Sequence, residues 1–372
     1  MRVNKLILHN FRNYPNLNIE FTHNVNIFIG DNAQGKTNIL EALYYGAMGR
    51  SHRTAFENDI VRWQERSCNI DIKFSRIDIE NSLTFKLIIS HNNSHNKEII
   101  YNGHIIKPRE VIGALNAVLF SPEDLLLIKG PPAGRRQFLD MEISQANPSY
   151  YRKLLEYNRI VSQRNNLLKK IRDYKAKADL LETWDEQLAK SAAIVVAKRQ
   201  DALKKLAMLA NLMQRKITAN KENLTINYAW NGLEEGQPDP DDPVNWYRQK
   251  IAILRNNDIL RGSTGIGPHR DDIILTVNGV NLRNFGSQGQ QRTGVLALKL
   301  AELEFIKSET GEYPILLLDD VMSELDAVRR EQLLTFIKDR IQTFITATDE
   351  KYFPNIKIGK YYRVINGTVT EW

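Results

Sequence analysis

The sequence of 372 residues holds one cysteine, Cys68. That excludes an internal disulfide framework and a cysteine-based zinc finger, and it suits a reducing compartment. No apolar run approaches the roughly 20 residues of a bilayer span. Even the run ending Ile315-Leu316-Leu317-Leu318 is far shorter. The opening Met1-Arg2-Val3-Asn4-Lys5 is not followed by the apolar core and small-residue cleavage site of a signal peptide. Internal repeats and low-complexity tracts are missing too. A soluble, cytoplasmic protein without a membrane partner is the expectation. The composition is ordinary, 42% hydrophobic and 26% charged, which excludes a disordered or collagen-like chain. The length is more natural as two packed lobes than as one.

Positive charge is unevenly placed. The net charge is +7, yet positions 129–216 alone carry 19 Lys and Arg against 9 Asp and Glu. Concentrated positive charge is an electrostatic footprint for nucleic acid; well-solvated helices rich in Lys and Arg give the same count. Arg164, Lys169, Lys170, Arg172, Lys175 and Lys177, with Arg50 and Arg53, are the candidates for DNA phosphate contacts. Such contacts need charge and little pattern, so weak sequence preference is expected.

The first 120 residues read as β-rich. Leu6, Leu8 and then Leu17, Ile19, Phe21 alternate with period 2, residues 25–29 read as a short buried strand, and 38–48 as a helix. Further strands fall at 70–74, 83–89, 98–101 and 104–106, the last two joined by the hairpin dipeptide Asn102-Gly103. From Pro148 the period becomes 3.6. Tyr151, Leu154, Leu155, Asn158, Val161 and Leu168 share one helical face, and Leu181, Trp184, Leu188, Ala192, Val195 and Val196 share another. The short break between them predicts an antiparallel pair, each helix roughly 40 Å long. Trp184 and Trp246 suit helix cores rather than base stacking. Residues 232–243 hold three prolines and five acids and read as a loop. Strands at 273–277 and 280–282, a helix at 288–307, a strand at 315–319, a helix at 329–340 and a strand at 343–346 follow.

Chemistry enters at Gly30-Asp31-Asn32-Ala33-Gln34-Gly35-Lys36-Thr37, a G-x-x-x-x-G-K-[ST] loop between a predicted strand and a predicted helix. Glycines let the backbone N–H groups curl around phosphates, and the helix N-terminus that follows, from Asn38, adds a favourable dipole. Lys36 is expected to reach the β- and γ-phosphates of ATP, and the Thr37 hydroxyl to hold Mg²⁺. A second acid is needed at the tip of a neighbouring strand. Residues 315–318, apolar throughout as a parallel sheet requires, end at Asp319-Asp320. Asp319 is assigned to Mg²⁺ and Asp320 to the attacking water. Asp320 is a shorter acid than Glu, which predicts slow hydrolysis. Arg12 and Asn13, on the turn after the first strand, are candidates to reach the nucleotide.

The stretch between Thr37 and Asp319 is 281 residues long. So large an insertion points to an ABC-type head, a P-loop nucleotide fold interrupted by a helical subdomain. The third motif of such a head stands upstream of the second acid. Ser287-Gln288-Gly289-Gln290 opens a helix and resembles the ABC signature S-G-G-Q. Ser287, Gly289 and Gln290 would form a second phosphate cradle, applied to the nucleotide of another copy, so that ATP drives a homodimer. Ser323-Glu324-Leu325-Asp326 matches the D-loop, with Asp326 at the nucleotide. We expect an α/β fold: an ABC-type head from residues 1–120 and 266–372, with a helical domain and short hairpin at 121–265.

The whole chain resembles the RecF family of bacterial recombination-mediator ATPases, related to SMC heads. The resemblance rests on Leu8-His9-Asn10-Phe11-Arg12-Asn13-Tyr14, the phosphate loop, Gly49-Arg50-Ser51-His52-Arg53, and Phe120-Ser121-Pro122-Glu123-Asp124-Leu125. It extends through Arg135-Arg136-Gln137-Phe138-Leu139-Asp140, Gly267-Pro268-His269-Arg270-Asp271-Asp272, the signature, and residues 318–326. It implies a weak, DNA-stimulated ATPase that dimerises on ATP and binds duplex DNA near single-strand gaps. With RecR and RecO it would load recombinase. Two positions depart from the general ABC pattern. Ser121-Pro122-Glu123 stands where a Q-loop glutamine is expected, so Glu123 or Ser121 would take that role. Thr346-Ala347-Thr348-Asp349 stands where a switch histidine is expected, so Thr348 would sense the γ-phosphate. Both departures disfavour a membrane-transporter ATPase. A DNA-binding adaptor using ATP only structurally is the other rival. For His269 no second histidine lies at ligand spacing, so a structural role is expected, with Arg270 pairing an Asp.

Overall fold

A computed structural model of the chain describes residues 1–90, 95–234, 236–353 and 359–372. Position 235, inside the loop expected at 232–243, lies outside them. The chain divides into two compact units, Met1–Asp124 with Glu302–Trp372, and Leu125–Ala301. The first boundary falls close to the expected 120/121. The second falls at 301/302 rather than 265/266 because the strand Asp272–Val277 pairs antiparallel with Leu224–Ala229. Arg135, on the helix Pro132–Ala146, also grips Asp272.

The first unit contains two sheets. In one, the strands run in the order Thr368–Glu371, Lys360–Ile365, Val25–Ile29, Thr343–Ala347, Ile315–Asp319, Ala117–Phe120. All neighbours are parallel except the first pair. The phosphate-loop strand and the acidic strand are thus separated by one strand, and their C-terminal ends share one edge, where open α/β sheets bind ligands. Val25 to Ile29 are buried throughout, as are Ile315 to Leu318, which explains their unbroken apolar runs. The other sheet is an antiparallel meander, led by Tyr14–Glu20, Arg2–Phe11, Ser67–Arg76 and Ile79–Ile89. The helix Lys36–Met48 is buried on nearly every side. Its Gly46 lets the meander pack closely, since a Cβ there would fall 2.2 Å from Ile72 Cδ1 and push that methyl aside.

The second unit is helical with one small antiparallel sheet. Helices Pro148–Arg172 and Leu181–Ile217 are antiparallel as expected: Arg164 of the first holds Asp185 of the second, while Tyr150 lies against Arg199. The first has 25 residues and is close to the expected length; the second has 37 and runs about 55 Å. Trp184 and Trp246 are partly covered, and Trp246 joins an aromatic cluster with Trp230 and Tyr247.

Two expectations are corrected here. Arg164 is fully buried and donates to Asp185, Asp258 and Thr264, so it is a core ion-pair residue and not a DNA contact. Arg270 donates to the Thr264 carbonyl instead of pairing an Asp, because Asp272 is already held by Arg135 and Asp271 accepts from Tyr228. His269 is structural. Its Nδ1 meets the Tyr157 hydroxyl, and burial pushes its pKa down to about 4. Arg135, Arg164 and Arg199 are all buried in ion pairs, so the basic count of 129–216 overstates the charge offered to a partner. Lys169, Lys170, Arg172, Lys175 and Lys177 remain exposed around the hairpin tip.

Candidate nucleotide site

The phosphate loop is braced from three sides within the first unit. Asn13 Nδ2 donates to the Gln34 carbonyl at 3.0 Å, and Asn13 Oδ1 accepts from Asn38 Nδ2 at 2.8 Å. The Tyr14 hydroxyl donates to the Gly35 carbonyl at 3.0 Å. From the C-terminal hairpin, the Asn366 and Gly367 N–H groups donate to Gln34. Gly35 sits at φ 112°, with the Asn13 side chain where a Cβ would go. Both facts demand glycine. Gly30 is confined likewise, because a Cβ would lie 2.3 Å from the Val364 carbonyl oxygen. Lys36 curls back over the loop and donates to the carbonyls of Gly30 and Asp31 at 2.6 and 2.7 Å. Burial lowers its pKa, opposed by Asp320, Asp319 and Asp31. The remaining loop positions, Asp31, Asn32 and Ala33, are exposed at its crown.

The acidic strand meets this loop. Asp319 Oδ1 accepts from the Thr37 hydroxyl and from the Thr346 hydroxyl, each at 2.8 Å. Thr346 Oγ1 also accepts the Asp320 N–H at 2.9 Å. A hydroxyl and a carboxylate side by side are the hard oxygen donors that suit Mg²⁺, which usually takes its other ligands from water and phosphate. Asp320 sits at φ 53°, and its Oδ1 is buried without a hydrogen-bond partner among the described residues. Burial raises its pKa, opposed by Lys36. An orphaned buried carboxylate oxygen beside a phosphate loop is suited to accept a proton from water.

Arg12 is held against the helix that follows the phosphate loop. Its guanidinium forms a two-pronged pair with Glu41, at 2.9 Å through Nε and 2.5 Å through Nη2, and also donates to the Asp59 carbonyl. Glu41 is wholly buried on the helix Lys36–Met48 and accepts further from Ser51 and Arg53. Arg53 also holds Asn38. Arg50 is exposed, while His52 packs edge-on against Tyr44, its pKa lowered by burial. Removing Arg12 leaves the buried Glu41 carboxylate with only Ser51 and a 3.5 Å contact to Arg53, and a poorly compensated buried charge is costly. Arg12→Ala is therefore expected to destabilise the fold by about 3 kcal/mol in urea unfolding. If Arg12 instead served only the nucleotide, stability would hold while ATP affinity fell.

Other predicted residues are distributed as follows. Thr348 lies half-buried just past the strand Thr343–Ala347; it is Thr346, in register with Asp319, that bonds the acids. Asp326 caps the helix Ala327–Ile337, accepting the Arg329 N–H at 2.9 Å. The Ser121 N–H is capped by Asp124, and Glu123 is exposed. In the second unit, the signature forms a reciprocal cap at the start of the helix Gln288–Thr310. Ser287 Oγ accepts the Gln290 N–H at 3.2 Å, and Gln290 Oε1 accepts the Ser287 N–H at 3.1 Å. The Ser287 proton stays available to an outside acceptor. Ser287, Gln288 and Gly289 are exposed, and so is the neighbouring Phe285 at 75%. Glu41 is marked by no motif, and the motifs that hold Tyr14 and Thr346 do not show that these two residues bond the loop and the acids. The signal for Thr346 was its register opposite Asp319 in an adjacent parallel strand.

Comparison with known proteins agrees with this geometry. The model of the RecF/RecN/SMC N terminal domain matches residues 2–369. The "DNA replication and repair protein RecF" of Clostridium tetani is 41% identical over 375 residues, covering all of both chains. That of Halothermothrix orenii is 43% identical over 381 residues, covering 100% of this chain and 99% of the relative. A solved structure of "the recombination mediator protein RecF-ATP in RecFOR pathway" superposes with a TM-score of 0.91 at 35% identity, covering 100% of this chain and 97% of that one. The Smc head domain from Pyrococcus furiosus shares the fold at a TM-score of 0.56 and 15% identity, covering 100% of this chain and 96% of that one. With an SMC-like ABC-type head, an assembled phosphate-loop site and full-length relatives above 40% identity, the chain belongs to the RecF family.

Proposed function

We propose that the chain is an ATP-gated DNA clamp and recombination mediator that closes as a homodimer. The observation that carries this reading is the signature. It is exposed, its Ser287 hydroxyl proton is free to donate, and among the described residues nothing comes nearer to a Cβ built on Gly289 than Ser287 Oγ at 3.9 Å. A glycine that the fold itself does not require, in the first turn of a helix, suits the close approach of another molecule's phosphate.

In this reading ATP lies in the loop 30–37 of one copy and is covered by residues 287–290 of another. Lys36 exchanges its two backbone carbonyls for the phosphates. Thr37 and Asp319 are the side chains that would hold Mg²⁺, which when bound neutralises charge on the β- and γ-phosphates. Thr346 fixes the Asp319 carboxylate and the Asp320 backbone, and Asp320 accepts the proton of the attacking water. A short acid and a neutral Thr in place of a switch His suit a slow timer, with DNA raising a weak ATPase. The head is assembled from both chain ends around the helical insertion. Duplex DNA is bound through the exposed basic residues of the hairpin, and Arg50 is a separate candidate for phosphate contact. The family relation supports action at single-strand gaps with RecO and RecR, loading recombinase in the cytoplasm.

The test is the solution mass of wild type and Lys36→Arg, with and without ATP and Mg²⁺, each with a short duplex. Mass doubling and tighter DNA binding on ATP, both lost in the variant, are expected. A wild type that stays monomeric with ATP while its DNA binding is unchanged would favour the adaptor instead.

A further inference from the structure

The signature is tied to the long helix by one carboxylate. Gln290 Nε2 donates to Glu222 Oε1 at 3.1 Å, and Gln214 Nε2 donates to Glu222 Oε2 at 2.7 Å. Gln214 is fully buried in the last turn of Leu181–Ile217, and Glu222 stands on the turn between that helix and the strand Leu224–Ala229. The turn itself is pinned, since the Thr218 hydroxyl donates to the Gln214 carbonyl and accepts the Glu222 N–H. All of these groups lie within the second unit.

Geometry gives the carboxylate its purpose. Gln290 must present Oε1 to the Ser287 N–H, which orients its amide and sends its NH₂ toward Glu222. Without Glu222 that amide is held through its Oε1 alone, and the Ser287 cap is weakened. The Gln290 side chain is half-buried, so its NH₂ group is only partly served by water once the carboxylate is gone. The opposite end of the same helix, at Leu181, adjoins the exposed tip that carries Lys175 and Lys177. A rigid helix of 37 residues thus has the basic tip at one end and the signature's anchor at the other.

We infer that Glu222 is a positioning residue for the signature, and that through Gln214 it couples the orientation of the long helix to the signature's fitness for a partner's nucleotide. The inference rests on the clamp reading. Its consequence is that strain or displacement of the helix on DNA is felt at Gln290 without any change at the phosphate loop.

The experiment compares wild type, Glu222→Ala and the exchanged pair Gln214→Glu with Glu222→Gln. The exchange keeps one carboxylate and one amide between the helix and Gln290. Three quantities are read: ATP affinity of the monomer, hydrogen exchange of residues 286–291 without nucleotide, and ATP-dependent dimerisation. For Glu222→Ala we expect unchanged ATP affinity, faster exchange at the signature, and dimerisation weakened about tenfold. The exchanged pair should restore most of the dimerisation. A merely structural role would lower thermal stability, ATP affinity and dimerisation together and speed exchange well beyond the signature, with no rescue. If wild type dimerises on ATP and Glu222→Ala dimerises equally well, this inference falls and the clamp stands. If wild type does not dimerise on ATP, the clamp falls and takes this inference with it.

Discussion

Asp320→Asn is expected to lower ATP hydrolysis by about 10²–10⁴-fold, the usual range for loss of a general base, while ATP binding and ATP-driven dimerisation persist. The substitution is close to shape-neutral here. Asp320 occupies the left-handed region at φ 53°, where Asn is as comfortable as Asp. Its backbone N–H stays bonded to Thr346 Oγ1, and the Ser323 hydroxyl still donates to its carbonyl. What changes is basicity at an atom already prepared for a proton. Among the described residues Oδ1 is buried without a hydrogen-bond partner, and burial raises the pKa of the carboxyl against the pull of Lys36. Asn also removes a negative charge from the neighbourhood of the phosphates, so ATP affinity should hold or improve. Phosphate release and nucleotide binding measured on the same preparation separate the two effects. Hydrolysis within about tenfold of wild type would reduce Asp320 to a turn residue, because even a modest base contributes more than that.

The two phosphate-site motifs were legible because each is short, contiguous and bound to a strand end. The loop 30–37 follows a strand buried at all five positions, and Asp319 ends another of nearly the same kind. What the sequence hides is whatever depends on a residue from far along the chain. Asn13, Asn366 and Gly367 all serve Gln34, and no local pattern shows that they meet there. Glu41 looks like a surface residue of a helix until the helix proves buried on nearly every side. Arg164 shows the limit of reading charge as function. A count of basic residues cannot separate an exposed Lys from a guanidinium locked to buried acids, although the first is a DNA candidate and the second is core. The helix Pro243–Arg261 escaped for a related reason. Its fully buried positions are only Tyr247, Ile251 and the ion-paired Asp258, while Ile253 and Leu260 face solvent, so the apolar period is blurred. The second domain boundary moved because strand pairing, which the sequence does not display, attaches 272–277 to the helical unit.

Gly289→Asp should separate the stability of one chain from the closure of two. In the isolated chain the substitution is well tolerated on three counts. A Cβ would meet nothing nearer than Ser287 Oγ at 3.9 Å among the described residues. Residue 289 lies in the first turn of Gln288–Thr310, where an acidic side chain complements the helix dipole. Replacing glycine within a helix also removes chain entropy from the unfolded state. Urea unfolding should therefore show stability unchanged or raised by about 0.5 kcal/mol. ATP binding by the monomer should be unaffected, because the phosphate loop, Asp319 and Thr346 all belong to the other compact unit. Dimerisation on ATP is a different matter. A carboxylate placed against a γ-phosphate sets like charges together, which costs several kcal/mol, and its Cβ blocks the close approach that glycine allows. Loss of at least about 100-fold in ATP-dependent dimer affinity is expected by sedimentation, with hydrolysis falling alongside it. A stable Gly289→Asp chain that still doubles its mass on ATP would mean that residues 287–290 do not touch the partner's nucleotide. The dimer surface would then have to be sought elsewhere on the molecule.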